Sequence, residues 1–344
     1  MSGKTALAVA LALATAVSQA FAEPCLRGVN LSGADFGPTP GRPNFDYAYP
    51  DAAAFDRLAA NGGTAVRLPF RWERLQPKPN APFDKGELAR LDGAVKAANA
   101  AGLTVIVDPH DYAYYRGKRI GSADAPVAQF VDLWKRLATH FKGNPRTVFS
   151  LMNEPYDVQA ADWAKTSQAA VDAIRKTGAL QMIIVPGTAY TGAHSWSSEL
   201  AVGRNDVEMA RVSDPLGRMA YDFHQYLDAD FSGRQPECSG AERALKAIDD
   251  VTAWLRAGGR RGFLGEFAAS ERPDCVAALT AMVRKMNDAP DAWIGWTAWG
   301  AGAWWPKDYP FNLEPTDAGE RPQMAALKPL MANGGSACDL GGRS

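Results

Sequence analysis

Short apolar runs alternate with longer amphipathic stretches along most of the chain. The runs are Leu26 to Leu31, Thr64 to Leu68, Thr104 to Asp108, Val148 to Met152, Met182 to Val185, Arg218 to Phe223, Gly262 to Gly265 and Trp293 to Thr297. Runs rich in Val, Ile and Leu without polar alternation predict parallel strands buried on both faces. Between them lie helices with readable ends. Asp51 to Ala60 stops at Asn61-Gly62-Gly63, and Asp84 to Ala101 opens on an aspartate cap and closes at Gly102, with Leu88, Leu91 and Val95 on one face. Ala125 to Phe141, Ala160 to Lys176, Ala241 to Arg256 and Pro273 to Asn287 each end before a Gly- or Pro-containing break.

Eight strands interleaved with helices predict an α/β fold, a (β/α)8 TIM barrel in a single domain. An open doubly wound sheet is the alternative, but no GxGxxG opens the first strand–helix unit. No internal repeat or linker interrupts the pattern, and the stretch beyond Leu330 is too short for another module. At the other end, Lys4, the apolar stretch Ala6 to Val17 and the small residues of Ala20-Phe21-Ala22 read as a signal peptide. Residues 1–22 are therefore expected to be removed near Ala22, leaving 23–344 as a secreted catalytic domain, extracellular or periplasmic, with no membrane association and monomeric.

Charge changes the picture only by exclusion. With 37 Lys and Arg against 38 Asp and Glu, the net charge is −1, and no basic stripe invites nucleic acid. The four cysteines, Cys25, Cys238, Cys275 and Cys338, suggest disulfides in an exported chain. Cys25 and Cys338 could tie the two ends together, and Cys238 and Cys275 lie on either side of one apolar strand. Free buried thiols remain the alternative. No CxxC or Cys/His cluster suggests zinc.

In such a barrel, active residues belong at the C-terminal ends of the strands. Those ends carry Arg67, His110, Asn153-Glu154, His224 with Tyr226, Glu266 and Trp299. Each alone could be a packing residue; together they form a polar and aromatic mouth. Glu154, in Asn153-Glu154-Pro155, and Glu266, in Gly265-Glu266-Phe267, supply the two carboxylates that glycoside hydrolysis needs. Burial and a nearby carboxylate would keep Glu154 protonated as an acid, while Arg67 and the Tyr226 hydroxyl could hold Glu266 ionised. The Asn153 amide can bond a sugar hydroxyl, and Trp299 offers a flat face to a pyranose. Trp293 and Trp296 read as core. Trp304, Trp305, Tyr112, Tyr114 and Tyr115 read as loop platforms for substrate, and the aromatic residues His194 and Trp196 follow the fifth strand.

These residues resemble glycoside hydrolase family 5, from Arg27-Gly28-Val29-Asn30 to Leu313-Glu314-Pro315. Asp108-Pro109-His110-Asp111-Tyr112, His224-Gln225-Tyr226-Leu227-Asp228 and Gly295-Trp296-Thr297-Ala298-Trp299-Gly300 narrow the likeness to its subfamily 5 endo-β-1,4-glucanases. The resemblance implies that Glu154 is the acid/base and Glu266 the nucleophile. It surrounds them with Arg67, His110, Asn153, His224, Tyr226 and Trp299, pairs Cys238 with Cys275, and calls for a β-glucan substrate with no metal or organic cofactor. Two positions depart from the family: Asp111 replaces the usual Asn, where it could add charge near a sugar, and Tyr156 replaces a frequent His, where it could alter the leaving-group side. Other readings follow from the same residues. The machinery could serve mannan, xyloglucan or mixed-linkage glucan; the barrel could bind carbohydrate without cleaving it; or Asp108 and His110 could ligate zinc in a metal hydrolase.

Overall fold

The computed structural model describes residues 25–332 and Cys338; the expected signal peptide lies outside the described residues. In chain order the strands are β1 (Leu26–Leu31), β2 (Ala65–Phe70), β3 (Thr104–Pro109), β4 (Tyr114–Tyr115), β5 (Lys118–Arg119), β6 (Thr147–Ser150), β7 (Ile183–Pro186), β8 (Met219–His224), β9 (Gly262–Glu266) and β10 (Trp293–Ala301). The helices are α1 (Ala52–Ala60), α2 (Trp72–Leu75), α3 (Lys85–Ala100), α4 (Val127–Phe141), α5 (Ala160–Lys176), α6 (Asn205–Glu208), α7 (Ala241–Ala257), α8 (Pro273–Asn287) and α9 (Pro322–Ala332). Eight parallel strands close in the order β1-β2-β3-β6-β7-β8-β9-β10, with β10 returning to β1; β4 and β5 form a separate hairpin. This is the predicted TIM barrel.

The expected helix signals work locally. Asp51 accepts from the Ala54 N–H and Asp84 from the Glu87 N–H, each capping its helix. Helix α4 starts at Val127 rather than Ala125, because Pro126 occupies its N-cap. Between β7 and β8 the chain makes only 3-10 turns and the one-turn α6. Strand β10 runs on past Thr297 to Ala301, pairing Leu31 with Ala301 beyond a register shift in which β10 carries the extra residue. Helix α9 and the β4–β5 hairpin escape the sequence pattern altogether.

Two apolar layers hold the barrel. The larger lies between strands and helices, where indole N–H groups also fasten helices to strand ends: Trp134 donates to the Leu151 carbonyl at 3.0 Å and Trp163 to that of Pro186 at 2.8 Å. The smaller, including Leu26, Ile106, Val148, Ile184, Phe263, Ile294, Cys25 and Cys338, plugs the barrel near the strands' N-terminal ends. Trp293 and Trp296 are core, as expected. Trp196, after the fifth barrel strand, is core too: it is 1% exposed and packs edge-on against Phe223 and Trp254. Tyr115 is likewise buried, its hydroxyl donating to the Gln76 carbonyl.

Disulfides join Cys25 to Cys338 and Cys238 to Cys275, with Cα separations of 4.8 and 5.4 Å. The second spans 37 residues and fastens the loop after β8 to the first turn of α8. Loop-closure entropy for that span predicts that replacing Cys238 and Cys275 together with Ser costs about 3–4 kcal/mol. A chemical-denaturation midpoint unchanged by the double substitution would contradict this.

Candidate active site

Every candidate at the strand ends arrives at one mouth. Alternation along a strand sends every second side chain inward, so Arg67 on β2, Asp108 on β3, Asp222 and His224 on β8 and Glu266 on β9 share the barrel interior. Arg67 is wholly buried and organises the floor. Its Nη1 donates to Glu266 Oε1 at 2.6 Å and to Asn30 Oδ1 at 2.8 Å. Its Nη2 donates to Asn153 Oδ1 at 2.7 Å and lies 3.0 Å from Asp108 Oδ2. Asp108 also takes the ring Nδ1 of His110 at 2.9 Å, so the Asp-x-His pair that could have suggested zinc is engaged by a guanidinium.

The two glutamates receive opposite settings. Glu266 accepts from Arg67 on one oxygen and from the Tyr226 hydroxyl, at 3.0 Å, on the other. Burial alone would raise its pKa, but the charges of His224, Arg67 and His110 and the Arg67 hydrogen bond override it and bring the carboxyl down to about 2. Glu154 has no guanidinium. Burial raises its pKa, the nearby Glu266 carboxylate adds to the rise, and the hydrogen bond from His224 opposes it. His224 Nδ1 lies 2.7 Å from Glu154 Oε1 and 3.6 Å from Glu266 Oε2. One oxygen of each glutamate and a ring nitrogen of His224 lie within 4.8 Å of one another. Backbone strain marks the spot, for Glu154 has φ of 41° in the left-handed region.

Both glutamates open into a cleft of about 680 Å³ whose lining includes His110, Tyr112, Tyr156, Tyr190, Tyr226, Trp299 and Tyr309. Trp299 stacks near-parallel on His110, with ring centroids 5.5 Å apart. The Asn153 side-chain nitrogen is buried without a hydrogen-bond partner among the described residues, a donor held ready beside the glutamates. Two expected platforms sit differently. Trp304 is 38% exposed and outside the cleft lining, and Trp305 reaches the cleft only through Trp299 and Tyr309, against which it packs. The remaining aromatic expectations divide as well: His194 lines the cleft, and Tyr114 lies behind it against Tyr156.

The two departures from the family also separate. Asp111 is 5% exposed and accepts the Trp72 N–H at 2.8 Å, tying down the start of α2 instead of meeting the cleft; burial pushes its carboxyl up to about 7 against the pull of Arg71. Tyr156 does line the cleft on the Glu154 side, stacked on Tyr190 at 5.2 Å and 7°. Sequence reading missed Asn30, whose amide donates to the carbonyls of Gly265 and Thr297 while its oxygen receives Arg67. Its signal was a polar residue near the C-terminal end of the otherwise largely apolar run Leu26 to Leu31. Tyr309 was missed for want of any strand to place it.

The family model "Cellulase (glycosyl hydrolase family 5)" matches residues 26–302. Endo-beta-1,4-glucanase B of Emericella nidulans is 35% identical over 318 residues, covering 89% of this chain and 94% of that protein. Among solved structures, the endo-beta-1,4-glucanase Xac0029 from Xanthomonas axonopodis pv. citri superposes with a TM-score of 0.87 at 46% identity, covering 90% of this chain and 98% of that one. XacCel5A in complex with cellopentaose gives 0.87 at 45% identity, covering 89% and 99%. With that match spanning nearly the whole barrel and its cleft, the chain belongs to glycosyl hydrolase family 5.

Proposed function

We propose that this protein is an exported endo-β-1,4-glucanase that cleaves internal bonds of β-1,4-glucan with retention. The observation that carries the proposal is the pair of carboxyl groups at one mouth, one pulled down to about 2 by His224 and Arg67 and the other raised by burial. Their separation favours retention, because oxygens within 4.8 Å of one another leave no room for the water that an inverting pair, with carboxyls ~6.5–9.5 Å apart, must hold between them. Glu154 gives its proton to the glycosidic oxygen while Glu266 attacks the anomeric carbon. Glu154, now a carboxylate, then takes a proton from the water that releases the sugar from Glu266. The Asn153 amide meets the neighbouring hydroxyl, and Trp299 carries a sugar face. Relatives named endo-beta-1,4-glucanase support the choice of substrate. The residue 1–22 pattern and the two disulfides support export.

The test is viscosity loss against reducing-end release on carboxymethylcellulose, with mannan, xyloglucan and mixed-linkage glucan assayed beside it. Rapid thinning with few new ends is the expected result; cleavage confined to another polymer would move the substrate. A pH profile checks the electrostatics. Glu266 must be ionised and Glu154 protonated, so kcat/KM should hold down to an acid limb near 2 and fall on an alkaline limb above the usual carboxyl range. An alkaline limb at about 4 would contradict the setting assigned to Glu154.

A further inference from the structure

We propose that Asp222 is a positioning residue that acts through His224, holding the imidazole charged and aimed between the two glutamates. The proposal rests on the retaining mechanism above and extends it to a residue that touches no substrate. Asp222 sits two residues before His224 on β8, so both side chains enter the barrel. It is fully buried, and neither carboxylate oxygen has a hydrogen-bond partner among the described residues. The same is true of His224 Nε2. Each of these unpartnered groups faces the other, with Asp222 Oδ2 3.6 Å from Nε2.

The surroundings are built for this pairing. A Cβ on Gly265 would meet Asp222 Oδ1 at 2.4 Å and His224 Nε2 at 3.0 Å, so the neighbouring strand leaves space for the two groups. Thr191 fixes the backbone there by donating to the Asp222 carbonyl at 2.7 Å. Three carboxyl groups face the imidazole: Glu154 after β6, Glu266 on β9 and Asp222 on its own strand. Arg67 of β2 lies across the floor, tied to Asp108 of β3, and His110 completes the set. The segment after β7, bridged to His224 at Gly192, contributes Thr191 and, in the same cleft lining, the titratable His194, whose pKa burial lowers.

The chemistry explains why an imidazolium needs its own counter-charge. Before reaction the negative charge sits on Glu266. In the glycosyl-enzyme it sits on Glu154, because Glu266 is then an ester. His224 Nδ1 is near both and can follow the charge from one to the other. Asp222 behind Nε2 does not take part in the exchange, so it holds the ring charged in both halves of the cycle. The Nδ1–H also occupies Glu154 Oε1, which leaves the acidic proton on the other oxygen. The same device recurs on β3, where Asp108 backs His110 with one residue between them.

The chain has four histidines, His110, His140, His194 and His224, so nitrogen-labelled imidazoles can be followed individually. In the wild-type protein His224 should remain protonated to about pH 10, a measurement that needs no variant. Burial opposes that charge, and Glu266 and Asp222 sustain it. In Asp222→Asn the His224 titration should fall by roughly 1–3 pH units, and the alkaline limb of kcat, which Glu154 sets under the influence of His224, should shift in response while KM holds. A wild-type His224 that titrates near 6.5 overturns the proposal. So does an Asp222→Asn enzyme whose histidine titration moves while its pH–kcat profile stays put, since the charge would then be idle. Activity on cellulose is a separate arm: if wild type cleaves only another β-glycan, the substrate assignment fails while the His224 titration still reports on Asp222.

Discussion

Replacing Glu266 with Gln should lower kcat on β-1,4-glucan by about 10⁴–10⁶-fold, the scale on which removal of a covalent nucleophile acts. The amide has nearly the same shape, so the cleft survives, but without the carboxylate's negative charge it is too weak a nucleophile to displace the leaving sugar. Folding should survive too. Arg67 keeps Asp108, Asn30 and Asn153 as partners, and its Nη1 can still donate to the amide oxygen. A mechanism-based 2-fluoro cellobioside with a good leaving group provides the check. Mass spectrometry should find one sugar on wild type, attached at Glu266, and none on the variant. Activity within tenfold of wild type would remove Glu266 from its role.

Glu154→Ala should produce a loss that depends on the leaving group. With cellulose, whose departing hydroxyl needs a proton, a fall of about 10²–10⁴-fold is expected. With a dinitrophenyl cellobioside the first step needs no proton and should proceed, while release from Glu266 slows because nothing deprotonates water. A burst of phenolate followed by slow turnover should therefore appear. Azide, a nucleophile that needs no base, should restore turnover and yield the β-glycosyl azide. An α-azide would contradict retention, and equal losses on both substrates would place Glu154 outside acid/base catalysis.

The strand ends were legible because there chemistry and geometry coincide. A polar residue that closes a buried run, as His110 and Glu266 do, faces the mouth. Residues inside the runs were harder. Asn30 and Asp222 look like interruptions of apolar strands until barrel closure sets β1 beside β2 and β8 beside β9. Loop aromatics were harder still, since nothing in the sequence separates Trp196, sealed beneath the segment after β7, from Tyr190, which stands 51% exposed at the cleft. Asp111 shows the remaining ambiguity. Proximity in sequence to His110 suggested a sugar contact, yet the backbone turn delivers its carboxylate to α2.

The bond between Cys25 and Cys338 has a topological consequence. It sits in the apolar plug near the strands' N-terminal ends and converts the stretch of chain between those cysteines into a ring. A linear polypeptide cut once becomes two pieces; a ring cut once becomes a single open strand. One protease nick in any loop over the cleft therefore leaves every strand and helix of the barrel covalently linked, and only a second cut or a reductant can part them. Damage to its most exposed loops thus becomes a wound the chain can carry without losing a fragment.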